Sequence, residues 1–164
     1  MLEKHPFRDI LGRFATGVVL LTLQPPRGVP MGMAVNSFTS VSLEPPLISL
    51  CVRTGSPTLT ALLRSDAFAV SILGEQHEEL CRSFSTPGAE RFSGREWART
   101  PAGHPVPGDA LAWLDCRVSA VHAAGDHELV VAETVDGDAA ERNAPLVFHR
   151  GRFTKLICES PVGN

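Results

Sequence analysis

The sequence predicts a mainly β protein, an antiparallel Greek-key barrel with two or three short flanking helices. Three observations carry that prediction. Seven or eight strand-length apolar runs follow one another, mostly through short turns. Helical patterns are few and short, and they do not alternate regularly with strands as a doubly wound sheet requires. No G-x-G-x-x-G follows a strand and no Walker loop occurs, so any nucleotide must be held in some other way. At 164 residues with 43% hydrophobic content, the chain is expected to build one core and one domain spanning 1–164.

The first element is a short helix within His5 to Ala15, with Phe7, Ile10, Leu11 and Phe14 on one face. Gly17 stops it, and Val18 to Leu23 reads as a strand. Gln24 to Pro30 is a tight Pro/Gly connection to a second strand, Met31 to Asn36. Pro45 and Pro46 cannot sit inside a central ladder, so they mark the start of the next strand, Leu47 to Val52. Its nearly unbroken apolar content predicts burial on both faces. Ser56 and Pro57 open a helix as N-cap and first helical residue. Ala67 to Leu73 is a strand, and Gln76 to Phe84 a helix with Leu80, Cys81 and Phe84 on one side.

Ser85 to Asp109 then carries four prolines and four glycines, with isolated aromatics at Phe92 and Trp97. A connection this long without regular structure is a lid, a partner contact, or an Ω-loop with two pinned aromatics. Leu111 to Val121 and His127 to Val135 read as strands around a Gly125-Asp126 turn. Asp136 to Asn143 reads as a charged turn region. A last hairpin pairs Pro145 to His149 with Arg152 to Ile157 around Arg150-Gly151.

One stretch stands apart. Ala34 to Ser42 holds five hydrogen-bonding side chains (Asn36, Ser37, Thr39, Ser40 and Ser42), which a plain core strand would not contain. It is either a serine-rich turn between strands or a surface for a planar, polar-edged ligand or a phosphate.

Composition excludes several classes. The net charge of −3 leaves no basic footprint for nucleic acid. The longest apolar run, Val18 to Leu21, is too short to cross a bilayer, and the N-terminus has no apolar signal core. Cys51, Cys81, Cys116 and Cys158 are widely spaced, which argues against a zinc site or a disulfide framework and predicts a cytoplasmic protein. The histidines likewise lack metal-ligand spacing.

With these motifs in place, the sequence resembles the flavin reductase family. The matching segments run in order along nearly the whole chain: FATGVVLLT at 14–22, GMAVNSFTSVSLEPPLISLCV at 32–52, SPTL at 56–59, the Phe68 to Leu73 strand, GDH at 125–127 and PLVFHRGRF at 145–153. Departures are modest: Ala34 and Val35 stand where a T-A pair is usual, Ala132 where glycine is common, and Phe153 where tyrosine is frequent. The resemblance implies an FMN-binding split barrel and a homodimer whose subunits both shape the flavin site. It implies hydride transfer from NADH or NADPH to FMN or FAD, with reduced flavin diffusing to a flavin-dependent oxygenase. Alternatives are a module of the same fold that holds FMN permanently for electron transfer or oxidase chemistry, and a non-enzymatic β-barrel interaction protein using the 85–109 loop.

The resemblance also assigns residues. Met33, Ala34, Val35, Asn36 and Ser37 fall beside the isoalloxazine, though Met33 taken alone reads better as core packing. Ser40, Val41 and Ser42 fall at the ribityl and phosphate, with Cys51, Val52 and Arg53 ending the neighbouring strand. Arg53 suits a charge-assisted phosphate contact, or is a solvated strand end. Ser56 and Thr58 sit at a helix N-terminus, which favours an anion and also simple capping. Phe84 is placed near the flavin from the second long helix. Cys51 reads better as a packing residue than as a redox thiol. His127 is the candidate catalytic residue, orienting the nicotinamide or stabilising charge on reduced flavin. Its plain alternative is a hydrogen-bonded histidine at a hairpin turn.

Overall fold

Continuous apolar runs become the middle strands of a barrel. The computed structural model describes residues 4–86, 88–140 and 144–156. In chain order these form α1 (Lys4–Leu11), β1 (Thr16–Gly17), β2 (Val19–Leu23), β3 (Met31–Val35), β4 (Thr39–Leu43), β5 (Pro46–Arg53) and α2 (Pro57–Ser65). There follow β6 (Ala67–Ile72), a 3-10 turn at Glu75–His77, α3 (Glu78–Ser85), β7 (Trp97–Arg99) and β8 (Pro105–Pro107). The chain continues with β9 (Ala112–Ala124), β10 (His127–Ala139), β11 (Val147–His149) and β12 (Arg152–Thr154).

Seven strands form one antiparallel sheet in the order β3-β2-β6-β9-β10-β5-β4. The two end strands, β3 and β4, are consecutive in sequence, so the sheet curls back towards itself there. β1, β11 and β12 make a small second sheet, and β7 with β8 a third.

β2 shows why the apolar runs lack alternation. Val19, Leu21 and Leu23 pack inward with Leu50, Phe68 and Val130, while Leu20 packs outward with Leu73, Phe84 and Leu146. Both faces of the strand are dry, so both sets of side chains are apolar. α2 begins as its sequence predicts. The Ser56 hydroxyl accepts the Leu59 N–H at 3.1 Å, Pro57 takes the first helical position, and Asp66 closes the helix in the left-handed conformation at φ 56°. Gly32 on β3 marks a close approach, since a Cβ there would lie 2.6 Å from the Leu21 carbonyl oxygen and 2.9 Å from the Phe84 ring.

Four expectations are corrected. The first helix ends at Leu11 and not at Gly17, and the turns that follow leave Phe14 off its face and exposed. Ala34 to Ser42 is not one turn: only Asn36–Phe38 bend, and Thr39–Leu43 is a strand. β4 lies at a sheet edge and is exposed along most of its length, so its hydroxyls have solvent to face. The 85–109 segment is not structureless. It contains the β7–β8 pair and is strapped down by a Phe84, Phe92 and Trp97 cluster, with centroids 4.9–6.0 Å apart. Thr22 Oγ1 donates to the Pro105 carbonyl at 2.6 Å, and the Gln24 N–H donates to His104 Nδ1 at 3.1 Å. Finally, Asp136–Ala139 belongs to β10, not to a turn. Pairing with Ala112–Asp115 of β9, reached across a register shift after Thr134, overrides the turn preference of Asp-Gly-Asp. Residues 141–143 and Ile157 lie outside the described residues. Among the described residues, no helix is long and apolar enough to cross a membrane.

Candidate active site

The site grows from the place where β3 and β4 part. The β2–β3 ladder ends at Val35, and the β4–β5 ladder begins at Thr39. Asn36, Ser37 and Phe38 therefore carry main-chain donors and acceptors without ladder partners. Such groups need water or a ligand. Ser37 ties this corner to β5: its hydroxyl accepts the Cys51 N–H at 2.9 Å and donates to the Cys51 carbonyl at 3.4 Å. The barrel seam is latched by a serine side chain.

A cleft of about 1220 Å³ opens at the corner. Asn36, Ser37, Phe38 and Thr39 form one wall, and α1 with the turns after it and the tip of the β11–β12 hairpin form the other. Its size and mixed polar and aromatic lining suit a nucleotide.

Along β5, two residues beyond Cys51, lies a second group. Arg53 pairs in register with His127 at the start of β10. His127 Nδ1 donates to the Asp126 carboxylate at 2.8 Å. That leaves Nε2 as the free ring nitrogen, on a side chain 42% exposed. The hydrogen bond from His127, then its charge and that of Arg53, hold the Asp126 carboxyl below its ordinary pKa. Asp126 is thus anionic at neutral pH and fixes the orientation of the imidazole.

The remaining assigned residues divide by what they expose. Asn36, Ser40, Val41 and Arg53 are exposed; Met33, Ala34, Ser42, Cys51 and Ser56 are half-buried. Val35, Val52, Thr58 and Phe84 are buried, so their side chains serve the core and only their main chain is open to contact. The Ser56 hydroxyl is committed to its cap. Burial pushes the Cys81 and Cys116 thiols up to about 11 and about 12, so neither forms a thiolate at neutral pH.

Sequence reasoning did not bring the α1 end and the hairpin tip to this site. Arg8, Arg13, Phe14, Phe148 and Arg150 all line the cleft. A usable signal existed in Arg150-Gly151, a two-residue turn with arginine where asparagine is the common choice.

The chain matches known proteins along nearly its whole length. Residues 11–156 match the model of the flavin reductase like domain. The chain is 35% identical over 161 residues to the reductase subunit HsaB of a flavin-dependent monooxygenase from Rhodococcus jostii, covering 98% of this chain and 82% of that protein. It superposes on a nitrilotriacetate monooxygenase component B homologue from Mycobacterium thermoresistibile with a TM-score of 0.91 at 34% identity, covering 98% of this chain and 91% of the other. It is also similar to the NADH:FAD oxidoreductase SgcE6 of Streptomyces globisporus, solved in complex with NAD and FAD fragments. There the TM-score is 0.88 at 30% identity, covering 99% and 96% of the two chains.

Proposed function

The chain belongs to the flavin reductase family, and we propose that it binds flavin along the Met33 to Ser42 corner, with Arg53 and His127 beside it. It is an oxidoreductase that uses reduced nicotinamide to reduce flavin for a flavin-dependent oxygenase. The observation that carries the site assignment is the unpaired corner at Asn36–Phe38, opening on a cleft of nucleotide size.

Bound flavin supplies the hydride acceptor, and the chain's residues bind and orient. The main chain of Asn36–Phe38 offers donors and acceptors for the polar edge of the ring. The hydroxyls of Ser40 and Ser42 and the guanidinium of Arg53 suit a ribityl phosphate. Asp126 holds the imidazole so that Nε2 of His127 is free to orient a nicotinamide amide or to stabilise negative charge. With no residue required as proton donor or acceptor, positioning is the main contribution of the chain.

A homodimer completes this reading. Val41 and Leu43 on the edge strand β4, with Val135 on β10, are exposed apolar side chains, and Leu43 is 94% exposed. Such surface favours a second copy of the chain. Cys51, Cys81 and Cys116 are free thiols, in keeping with a reducing cytoplasm.

The test is loss of reduced-nicotinamide absorbance with NADH or NADPH, each with excess FMN or FAD. Catalytic turnover of excess flavin is expected and ranks both cofactors. A protein that is isolated yellow and reduces only its own flavin would contradict the diffusible product.

A further inference from the structure

The cleft wall opposite the Asn36–Phe38 corner is basic. The chain as a whole carries −3, yet this cleft is lined by Arg8, Arg13 and Arg150 against one carboxylate, Asp9. Among the described residues none of the three arginines is in an ion pair. Phe14 stands in the same wall with 76% of its surface exposed. An exposed ring beside unpaired guanidinium groups is the combination that binds a purine by stacking and its phosphate by charge-assisted hydrogen bonds.

The backbone holds these groups together. After α1 the chain continues in tight turns, with the Gly12 N–H donating to Arg8 at 2.8 Å and the Phe14 N–H to Leu11 at 3.0 Å. The Arg150 N–H then donates to the Gly12 carbonyl at 2.8 Å, so the hairpin tip meets the helix end. Thr16 and Gly17 of β1 pair with Phe148 and Val147 of β11 just behind. Arg150 itself is at φ 50° and Gly151 at φ 74°, a two-residue hairpin turn with both centres left-handed. Asparagine or glycine fills the first centre without strain, whereas arginine does not. The turn thus sets a guanidinium at this point of the cleft on a backbone conformation that arginine disfavours.

We propose that Arg8, Arg13, Arg150 and Phe14 form an adenosine-phosphate subsite, separate from Arg53. It takes the adenylate half of a dinucleotide substrate. The inference rests on the flavin-reductase reading, and FAD and the nicotinamide dinucleotide both carry that half.

The test uses AMP as probe on the full-length protein, with Arg150→Asn, Arg13→Ala and Arg53→Ala variants. Arg150→Asn suits its turn better than arginine does, so it should fold and melt no lower than wild type. AMP is expected to bind the wild type and to compete with FAD, with NADH, or with both. Competition against FAD assigns the flavin's adenylate, and competition against NADH the nicotinamide's. Arg150→Asn and Arg13→Ala should each weaken AMP about tenfold, the loss of one charge-assisted contact. The preference for FAD over FMN, or for NADH over reduced nicotinamide mononucleotide, should fall in parallel. Arg53→Ala should weaken FMN and leave AMP unchanged. Failure of AMP to compete with either dinucleotide, or wild-type AMP affinity in both wall variants, overturns the subsite. NADH-driven reduction of FMN by the wild type, run alongside, separates that failure from failure of the reductase reading.

Discussion

At the scale of single residues, the role proposed for His127 rests on one contact: Asp126 fixes the imidazole through Nδ1. His127→Ala should lower kcat about tenfold or more, the cost of one lost orienting contact, while flavin affinity shifts by less than about twofold. Stopped-flow reduction of flavin at saturating NADH checks this, and unchanged turnover removes His127 from the mechanism. The site was legible in part. Asn36, Arg53 and His127 were assigned with the help of the family resemblance, and the fold leaves their side chains open to contact. Val35, Val52, Thr58 and Phe84 carry the same motif signal, but their side chains face the core. Which way a residue points depends on register, and register is set by strand partners far away in sequence. For the same reason Arg8, Arg13 and Arg150 were missed: Arg13 and Arg150 lie 137 positions apart in the chain, and only the fold brings them to one cleft.

At the scale of elements, the strands were legible wherever apolar runs exceeded four or five residues, and α2 was legible through its Ser-Pro start. The errors share a cause. Thr39–Leu43, Asp136–Ala139 and the β7–β8 pair are strands made by their partners, without strong propensity of their own. β4 in particular holds its place through one ladder to β5 and through the Ser37 latch beside it. Ser37→Ala leaves the Cys51 N–H and carbonyl without that partner. It should lower stability by about 1 kcal/mol and raise hydrogen exchange at Cys51. Denaturant unfolding with amide exchange measures both, and native-like protection of Cys51 in the variant would show that the latch does not hold the seam.

At the scale of the whole molecule, the strap over β2 makes stability depend on acid. Burial is the main cause that holds the His104 pKa below 6.5, with Arg99 acting in the same direction and Asp115 against it. His104 Nδ1 accepts the Gln24 N–H, a role open only to the neutral ring. The folded state therefore binds its proton less readily than the unfolded chain does. Stability is intact above pH 6.5 and is lost as pH falls from there towards the lowered folded value. Asp109 adds a second step below 3.8: burial raises its pKa, but the His77 hydrogen bond and charge and Arg95 outweigh this and lower it. Thermal melts from about pH 8 to about pH 5 should show the first loss. His104→Gln should flatten it, and an unchanged slope would place the acid sensitivity elsewhere. Assembly is the other property at this scale. Leu43→Asp puts a charge on the exposed β4 edge and should convert a dimer to a monomer in light scattering, whereas an unaltered mass would move the interface off this edge.

The wall of the cleft has a dynamic consequence. α1 presents Phe7, Ile10 and Leu11 to solvent at 50–56% exposure, and among the described residues its end meets the hairpin through one main-chain hydrogen bond, from Arg150 to Gly12. An element with so little buried surface opens locally at a small fraction of the global unfolding free energy. The amides of α1 should therefore exchange with solvent ahead of those in the β2 and β6 strands, where burial is deepest.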